Sequence, residues 1–387
     1  MLKRFKLVFS IVCWIFVFCA CTQAITLQKQ AITLQKGPYL IYPNTNDQMT
    51  VLWQTDATPI NSKIEWGTTT AYGSGSGSLT ESGNSSNEHQ FSYTITGLDT
   101  ATRYYYRVTV DSQVVTGSFS AAPSDAAKAV TIYGYGDTRS NPVDHGSVVA
   151  RLMMDVDADR GHRQTMILHS ADWVANGDNE SDWNDQYFNR TYLNALNFMS
   201  RMPVMGSRGN HEDSGVLLRK YWPYDYQDGS GCYYSFDYGP VHVSVVDQYV
   251  SYTPGSKQYD WLESDLATTQ KLWKFVVLHE PAWSAAGGHD NNVDTQQYLC
   301  PLFEQYGVEV VQAGHNHYYA RCVVNGVQYI TTGGGGAPLY GPDPGAQNVV
   351  MTGKRLHFIR YEISGRRMTV TVIGNDGSVI ESFEVVK

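Results

Sequence analysis

Basic residues, long apolar runs and paired cysteines are all scarce in this chain of 387 residues. Its 28 Lys and Arg stand against 37 Asp and Glu, a formal charge of −9, with no basic stripe anywhere. That balance argues against nucleic acid or an anionic membrane surface as a partner. The one pronounced apolar run, LVFSIVCWIFVF at 7–18, is too short to span a bilayer as a mature helix. Three of the six cysteines (Cys13, Cys19, Cys21) fall in this N-terminal segment, which leaves Cys232, Cys300 and Cys322. An odd count without CxxC spacing fits neither a disulfide framework nor a cysteine zinc site. One pair at most can form, and at least one thiol is expected to be buried and free.

What the N-terminus does contain is an export signal. Lys3, Arg4 and Lys6 precede the apolar run, the order of a secretory signal peptide. FCAC, ending at Cys21, loosely resembles a bacterial lipobox in which the cysteine carries the lipid; cleavage after Ala24 is the competing reading and gives a soluble secreted product. The expected location is the bacterial cell envelope or the exterior, with membrane contact only through a lipid at Cys21. Residues 1–21 are then the signal and 22–36 a linker. AITLQKQ followed by AITLQKG (24–37) is a local duplication to which no function attaches.

From 37 to 123, short alternating segments such as MTVLWQT, SKIEWGT, HQFSYTITGL, TRYYYRVTVD and VVTGSFSA are separated by turns about every ten residues. Period-two alternation of this kind, in a chain with 27 Tyr and 35 Gly, predicts an all-β sandwich. ITGLDTATRYYYRV is similar to the fibronectin type III signature. No chemistry converges here, so the segment reads as a packing or spacer module.

After APSDAAKA the texture changes, and 128–387 forms a second domain. Apolar strands VTIYGYGD, TMILHSAD, KFVVLHEP and VEVVQAGHNH alternate with helical stretches at 145–157, 182–200 and 292–306. Such alternation predicts an α/β domain with ligands beyond the carboxyl ends of the strands. The final strands, VQYITTGGGG, RLHFIRYEI, RMTVTVI and SVIESFEV, suggest a second, more antiparallel sheet.

The strand ends carry the chemistry. Asp137, Asp172, Asn210 with His211, His279, and His315 with His317 each follow an apolar run. One such end is an ordinary cap or turn. Five in order, rich in imidazole and oxygen donors, predict a metal centre suited to Zn, Mn or Fe rather than Ca. GNHE at 209–212 and GHNHYYAR at 314–321, with Asp137, Asp172 and LHEP at 278–281, resemble the five blocks of the calcineurin-like metallophosphoesterases. The preceding sandwich makes the chain most similar to the purple acid phosphatase branch of that family.

The resemblance implies an αββα catalytic domain, two sheets between helices, and a two-metal centre. Asp137 and His317 would hold the first ion, Asp172 would bridge, and Asn210, His279 and His315 would hold the second. The activity implied is hydrolysis of a phosphoric ester, a monoester foremost, by a metal-bound hydroxide attacking in line while His211 assists the leaving group. A phosphodiesterase or nucleotidase on the same site, or a surface binding module with a decayed metal site, are the alternatives. Arg139, His289 and Tyr319 are expected at the substrate, with Arg321 and His145 as further candidates. His169 reads as core, and His89, His162, His242 and His357 as structural or surface residues without partners. The run Asp178, Glu180, Asp182 and Asp185 reads as a solvated helix start. Two positions depart from the pattern. Ala175 stands where the purple branch has a tyrosine ligand, and Arg139 where other members have a histidine. The first position thus lacks a ligand unless His145 or Asn176 supplies one, which favours divalent ions and a colourless protein.

Overall fold

The computed structural model describes residues 32–387 apart from Leu79, Ser86 and Asn87. The predicted export signal and Cys21 lie outside the described residues. The first eight strands are β1 (Leu34–Ile41), β2 (Met49–Thr55), β3 (Ser62–Gly67), β4 (Gly75–Ser78), β5 (Thr80–Ser85), β6 (Glu88–Ile95), β7 (Arg103–Val110) and β8 (Gln113–Ser120). They form two four-stranded sheets, ordered β1-β2-β6-β5 and β4-β3-β7-β8. β7 shows how sequence makes this sandwich. RYYYRVTV turns Tyr104, Tyr106, Val108 and Val110 inward, against Trp53, Ile64 and Phe119, and leaves the intervening residues partly exposed. β1 begins inside the stretch expected to be linker, and Ile32, Leu34 and Lys36 are all buried there.

Buried polar contacts bolt the sandwich to the second domain. The buried Lys36 ammonium pairs with Glu180 at 2.7 Å, and Lys220 joins the same carboxylate at 3.3 Å. Tyr39 and Tyr106 donate their hydroxyls to the Tyr221 and Ser200 carbonyls at 2.8 and 2.9 Å. Glu180 is therefore a docking residue rather than part of a solvated helix start, because it neutralises a lysine that the sandwich has buried.

The second domain contains β9 (Ala129–Tyr135), β10 (Ile167–His169), β11 (Val204–Gly206), β12 (Tyr234–Tyr238), β13 (Val241–Val245), β14 (Trp273–Val277), β15 (Val310–Ala313), β16 (Tyr319–Val324), β17 (Val327–Thr332), β18 (Val349–Gly353), β19 (His357–Ser364), β20 (Arg367–Gly374) and β21 (Val379–Val386). Their sheets run β11-β10-β9-β19-β20-β21 and β12-β13-β14-β15-β17-β16-β18. The C-terminal strands thus do not make a sheet of their own. β19 pairs antiparallel with β9 and extends the first sheet. The physical reason is burial on both faces: Ile359, Tyr361 and Ile363 share one face, where Tyr361 meets Phe275 of the second sheet, and Phe358 packs on Tyr133 on the other.

Helices cover the two outer faces, giving the αββα layers. The helix Pro142–Ala158 starts from Asn141, whose side chain accepts from the amides of Val143 and Asp144, with proline at its first turn. It buries Val148, Val149, Leu152 and Val156, one helical stripe, on the first sheet. Leu262 and Leu266 of the helix Lys257–Thr268, with Leu302 and Phe303, cover the second sheet at Val276 and Val311. The stretch expected to be one helix over 182–200 is interrupted; Leu193–Met199 is separate. Cys232, Cys300 and Cys322 are all buried and free, so no disulfide forms among the described residues.

Candidate metal centre

β9, β10 and β11 run parallel, as do β13, β14, β15 and β17. Their carboxyl ends meet, and there the predicted residues gather. Asp137, Asp172 and His315 adopt left-handed backbone angles, φ 58°, 52° and 67°, so each chain turns sharply as it leaves its strand. The crowding dictates glycine beside them. A Cβ at Gly314 would stand 2.3 Å from Asp137 Oδ2, and one at Gly209 would stand 2.4 Å from Asp172 Oδ1.

One half of the centre is a cluster of lone pairs. Asn210 Oδ1 lies 3.0 Å from His279 Nε2 and 3.1 Å from His315 Nδ1. The two ring nitrogens are 3.2 Å apart, and Asp172 Oδ1 is 3.1 Å from His279 Nε2. His279 Nδ1 faces the Ser170 carbonyl at 2.9 Å, an acceptor, so the neutral ring carries its proton there and Nε2 presents a lone pair. Four potential ligand atoms then converge, two imidazole nitrogens, an amide oxygen and a carboxylate oxygen. Their spacing is that of the edges of a coordination polyhedron with bonds of roughly 2.1 Å. A cation at the centre satisfies all four, and the residues fit a metal ion. Without one, burial favours neutral His279, yet Asp172 and Asp137 prevail and push its pKa up to about 10. His315, by contrast, is pushed down to about 2 by burial, with His279 and His289 adding repulsion.

The other half is built differently. Asp137, Asp172 and His317 each offer a ligand atom within 4.8 Å of one another, all buried. His317 Nδ1 donates to the Pro338 carbonyl at 2.8 Å, leaving Nε2 to face Asp137 Oδ1 at 3.5 Å. Both Asp137 oxygens accept from the His315 amide, at 2.9 and 3.1 Å. Arg139 lies across this group. Its Nε donates to Asp172 Oδ2 at 3.2 Å, and its Nη2 reaches His317 Nε2 at 3.4 Å.

His211 stands beside the donors without joining them. Its Nδ1 donates to the Ala175 carbonyl at 2.6 Å, and its Nε2 lies 3.8 Å from Asp172 Oδ2. The His289 ring stacks on His315 at 3.9 Å between centroids, at the exposed rim. Tyr319 is not at the site. It is fully buried, and its hydroxyl donates to Glu381 at 2.6 Å, with Arg321 on the same carboxylate. The cause is strand alternation, which turns both residues to one face of β16. His145 is core as well, bonded to the Tyr135 hydroxyl at 3.1 Å and stacked near Tyr187. Asn176 is exposed and accepts from the Asp178 amide. Neither supplies the missing ligand. His169 is core, stacked on Trp173. His89, His162, His242 and His357 all have partners, namely Glu81, Asp159, the pair Asp237 and Asp265, and Thr332.

Three contributors escape sequence reasoning. Glu212, buried beside Asp172, accepts from the amides of Trp173 and Gly209 at 2.8 Å each and of Asp172 at 3.1 Å, stitching two ligand loops together. Asn316, fully buried, accepts from the His289 amide at 2.6 Å and so holds that loop to the ligand strand. Tyr340 stacks on His317 at 4.2 Å. The available signals were positional: Glu212 lies inside GNHE and Asn316 inside GHNHYYAR.

Comparison with known proteins agrees with this architecture. The calcineurin-like phosphoesterase family matches residues 143–319, and the purple acid phosphatase N-terminal domain matches 36–123. Purple acid phosphatase 23 of Arabidopsis thaliana is 33% identical over 159 residues, which cover 35% of this chain and 35% of that protein. A Glycine max purple acid phosphatase is 26% identical over 266 residues, 64% of this chain and 56% of that one. The chain thus spans about a third of the length of the first of these relatives and just over half of the second. Among solved structures, the purple acid phosphatase PPD1 from yellow lupin seeds superposes with a TM-score of 0.75 at 17% identity, covering 91% of this chain and 74% of that one. PhoD gives 0.62 at 11% identity, covering 89% of this chain and 91% of that one. These two likenesses establish the fold.

Proposed function

From a chain that joins a purple acid phosphatase N-terminal domain to a calcineurin-like metallophosphoesterase domain, we propose a metal-dependent hydrolase of phosphoric esters that acts on small monoesters outside the cytoplasm. The observation that carries the reading is the convergence of Asn210 Oδ1, His279 Nε2 and His315 Nδ1 at 3.0–3.2 Å from one another, with Asp172 Oδ1 at 3.1 Å from His279 Nε2 and His211 beside them. Those four would hold the metal, whose bound form supplies Lewis-acid polarisation of a phosphoryl oxygen and an activated water at neutral pH.

The chain's own residues divide the remaining work. Arg139 presents a permanent cation toward the same pocket, suited to the phosphate oxygens that gain charge in the transition state. The Ala175 carbonyl fixes the proton of His211 on Nδ1, so Nε2 is the atom left to face the leaving oxygen and exchange a proton with it. Glu212 and Asn316 keep the ligand loops in register. The residues bind an anion, and the N-terminal export signal supports an extracytoplasmic site of action. Zn, Mn and ferrous iron suit this mixture of imidazole and oxygen donors.

Chelator-treated protein assayed on an aryl phosphate tests the proposal. Hydrolysis should vanish with the metal and return on adding zinc or manganese. Protein that binds metal yet hydrolyses neither mono- nor diesters would instead be a binding module.

A further inference from the structure

We propose that Arg139 replaces the first metal ion, so that this centre carries one resident ion, at Asn210, His279, His315 and Asp172. The inference rests on the metal-dependent hydrolase reading above. Its basis is the way the two halves of the centre are satisfied. At the proposed ion position Asn210 Oδ1, His279 Nε2, His315 Nδ1 and Asp172 Oδ1 come together with no arginine or lysine among them, the His211 amide resting on Asp172 Oδ1 at 3.3 Å. On the other side a side-chain cation is already in place. The guanidinium Nε donates to Asp172 Oδ2 at 3.2 Å, and Nη2 lies 3.4 Å from His317 Nε2. The carboxylate of Asp137 accepts the His315 amide through both oxygens, at 2.9 and 3.1 Å.

Arginine cannot supply a ligand, because its guanidinium is protonated at any working pH and carries no free lone pair. It can only compete. Arg139 is held in place, with its side chain 16% exposed and Asp172 1% exposed. An ion bound on that side would meet a fixed positive charge at close range, with only Asp137, Asp172 and His317 to hold it. Neither His145 nor Asn176 reaches the gap, since the first is core and the second points into a turn. Charge balance agrees. Two carboxylates are neutralised by one divalent ion, and the guanidinium adds the cation that faces phosphate. Arg139 thereby would supply the positive charge of an ion without an exchangeable water.

Manganese provides a direct readout on the wild-type protein. After reconstitution and gel filtration, elemental analysis should find about one manganese per chain. Its electron paramagnetic resonance spectrum should be the six-line signal of an isolated ion. Two ions per chain, or a spin-coupled multiline spectrum, would overturn the inference while leaving the hydrolase reading intact. Arg139→His restores a ligand in place of the cation and should raise the content to about two per chain. His317→Ala should leave the wild-type content at about one, whereas His279→Ala should lower it toward zero. Loss of the ion in His317→Ala, with His279→Ala unaffected, would show that the ion sits on the Arg139 side. Protein that takes up no metal and hydrolyses no ester sinks the functional reading itself.

Discussion

Glu212 offers the sharpest test of how the ligand loops are held. Its carboxylate is buried and accepts three backbone amides, from Gly209, Trp173 and Asp172, at 2.8, 2.8 and 3.1 Å. Glu212→Ala leaves three buried N–H groups without that acceptor, and each costs about 1–3 kcal/mol when unsatisfied. Allowing for a water that fills part of the space, the loss should be about 3–6 kcal/mol, a large share of the stability of a typical domain. Glu212→Gln keeps one acceptor oxygen and turns an NH2 toward the remaining donors, so about half of that loss is expected. Because the amides belong to residues flanking the ligands, metal affinity should fall in the same order. Urea unfolding of the metal-free proteins separates the stability effect, and metal titration measures the second. An alanine variant within about 1 kcal/mol of wild type would refute the reasoning, since it would mean the amides find other acceptors at no cost.

His211→Ala should keep its metal and lose on the order of 10²–10⁴-fold in turnover, the usual range for a positioned acid or base. Asn210→Ala should instead weaken metal binding, and equal metal loss in both variants would make His211 a ligand. His242 is buried, which disfavours its charge, but Asp237 and Asp265 outweigh burial and push its pKa up to about 9. A raised histidine stabilises the fold fully below its unfolded value near 6.5 and loses that contribution as pH rises through 9, a change of about 3 kcal/mol that His242→Gln should abolish in urea titrations at the two ends of the range. Iron-loaded protein under air should show no tyrosinate charge-transfer band, because Ala175 occupies the ligand position; a coloured preparation bleached by Tyr340→Phe would contradict this.

The site was far more legible in the sequence than the sheets that build it. Asp137, Asp172, Asn210, His279 and the pair His315 and His317 announce themselves because each directly follows an apolar strand, and strand ends in such folds converge. Pairing of β19 with β9 joins residues more than 200 positions apart, and no local pattern encodes it. Tyr319 was misplaced because a motif position fixes order along the chain but not the face of the strand. His145 was a candidate by proximity in sequence, whereas the helix Pro142–Ala158 turns it into the core beside Tyr135. Arg139 stood out as a candidate for the substrate phosphate and as a substitution at a ligand position. That its guanidinium spans Asp172 and His317 depends on a side-chain path that spacing does not determine.

The most direct test of the metal centre is an anomalous-difference map from crystals soaked in zinc and measured at its absorption edge. A peak is expected about 2.0–2.2 Å from Asn210 Oδ1, His279 Nε2, His315 Nδ1 and Asp172 Oδ1. A map with no peak among those four atoms, from protein that nonetheless hydrolyses phosphoric esters, would contradict a catalytic metal at this position.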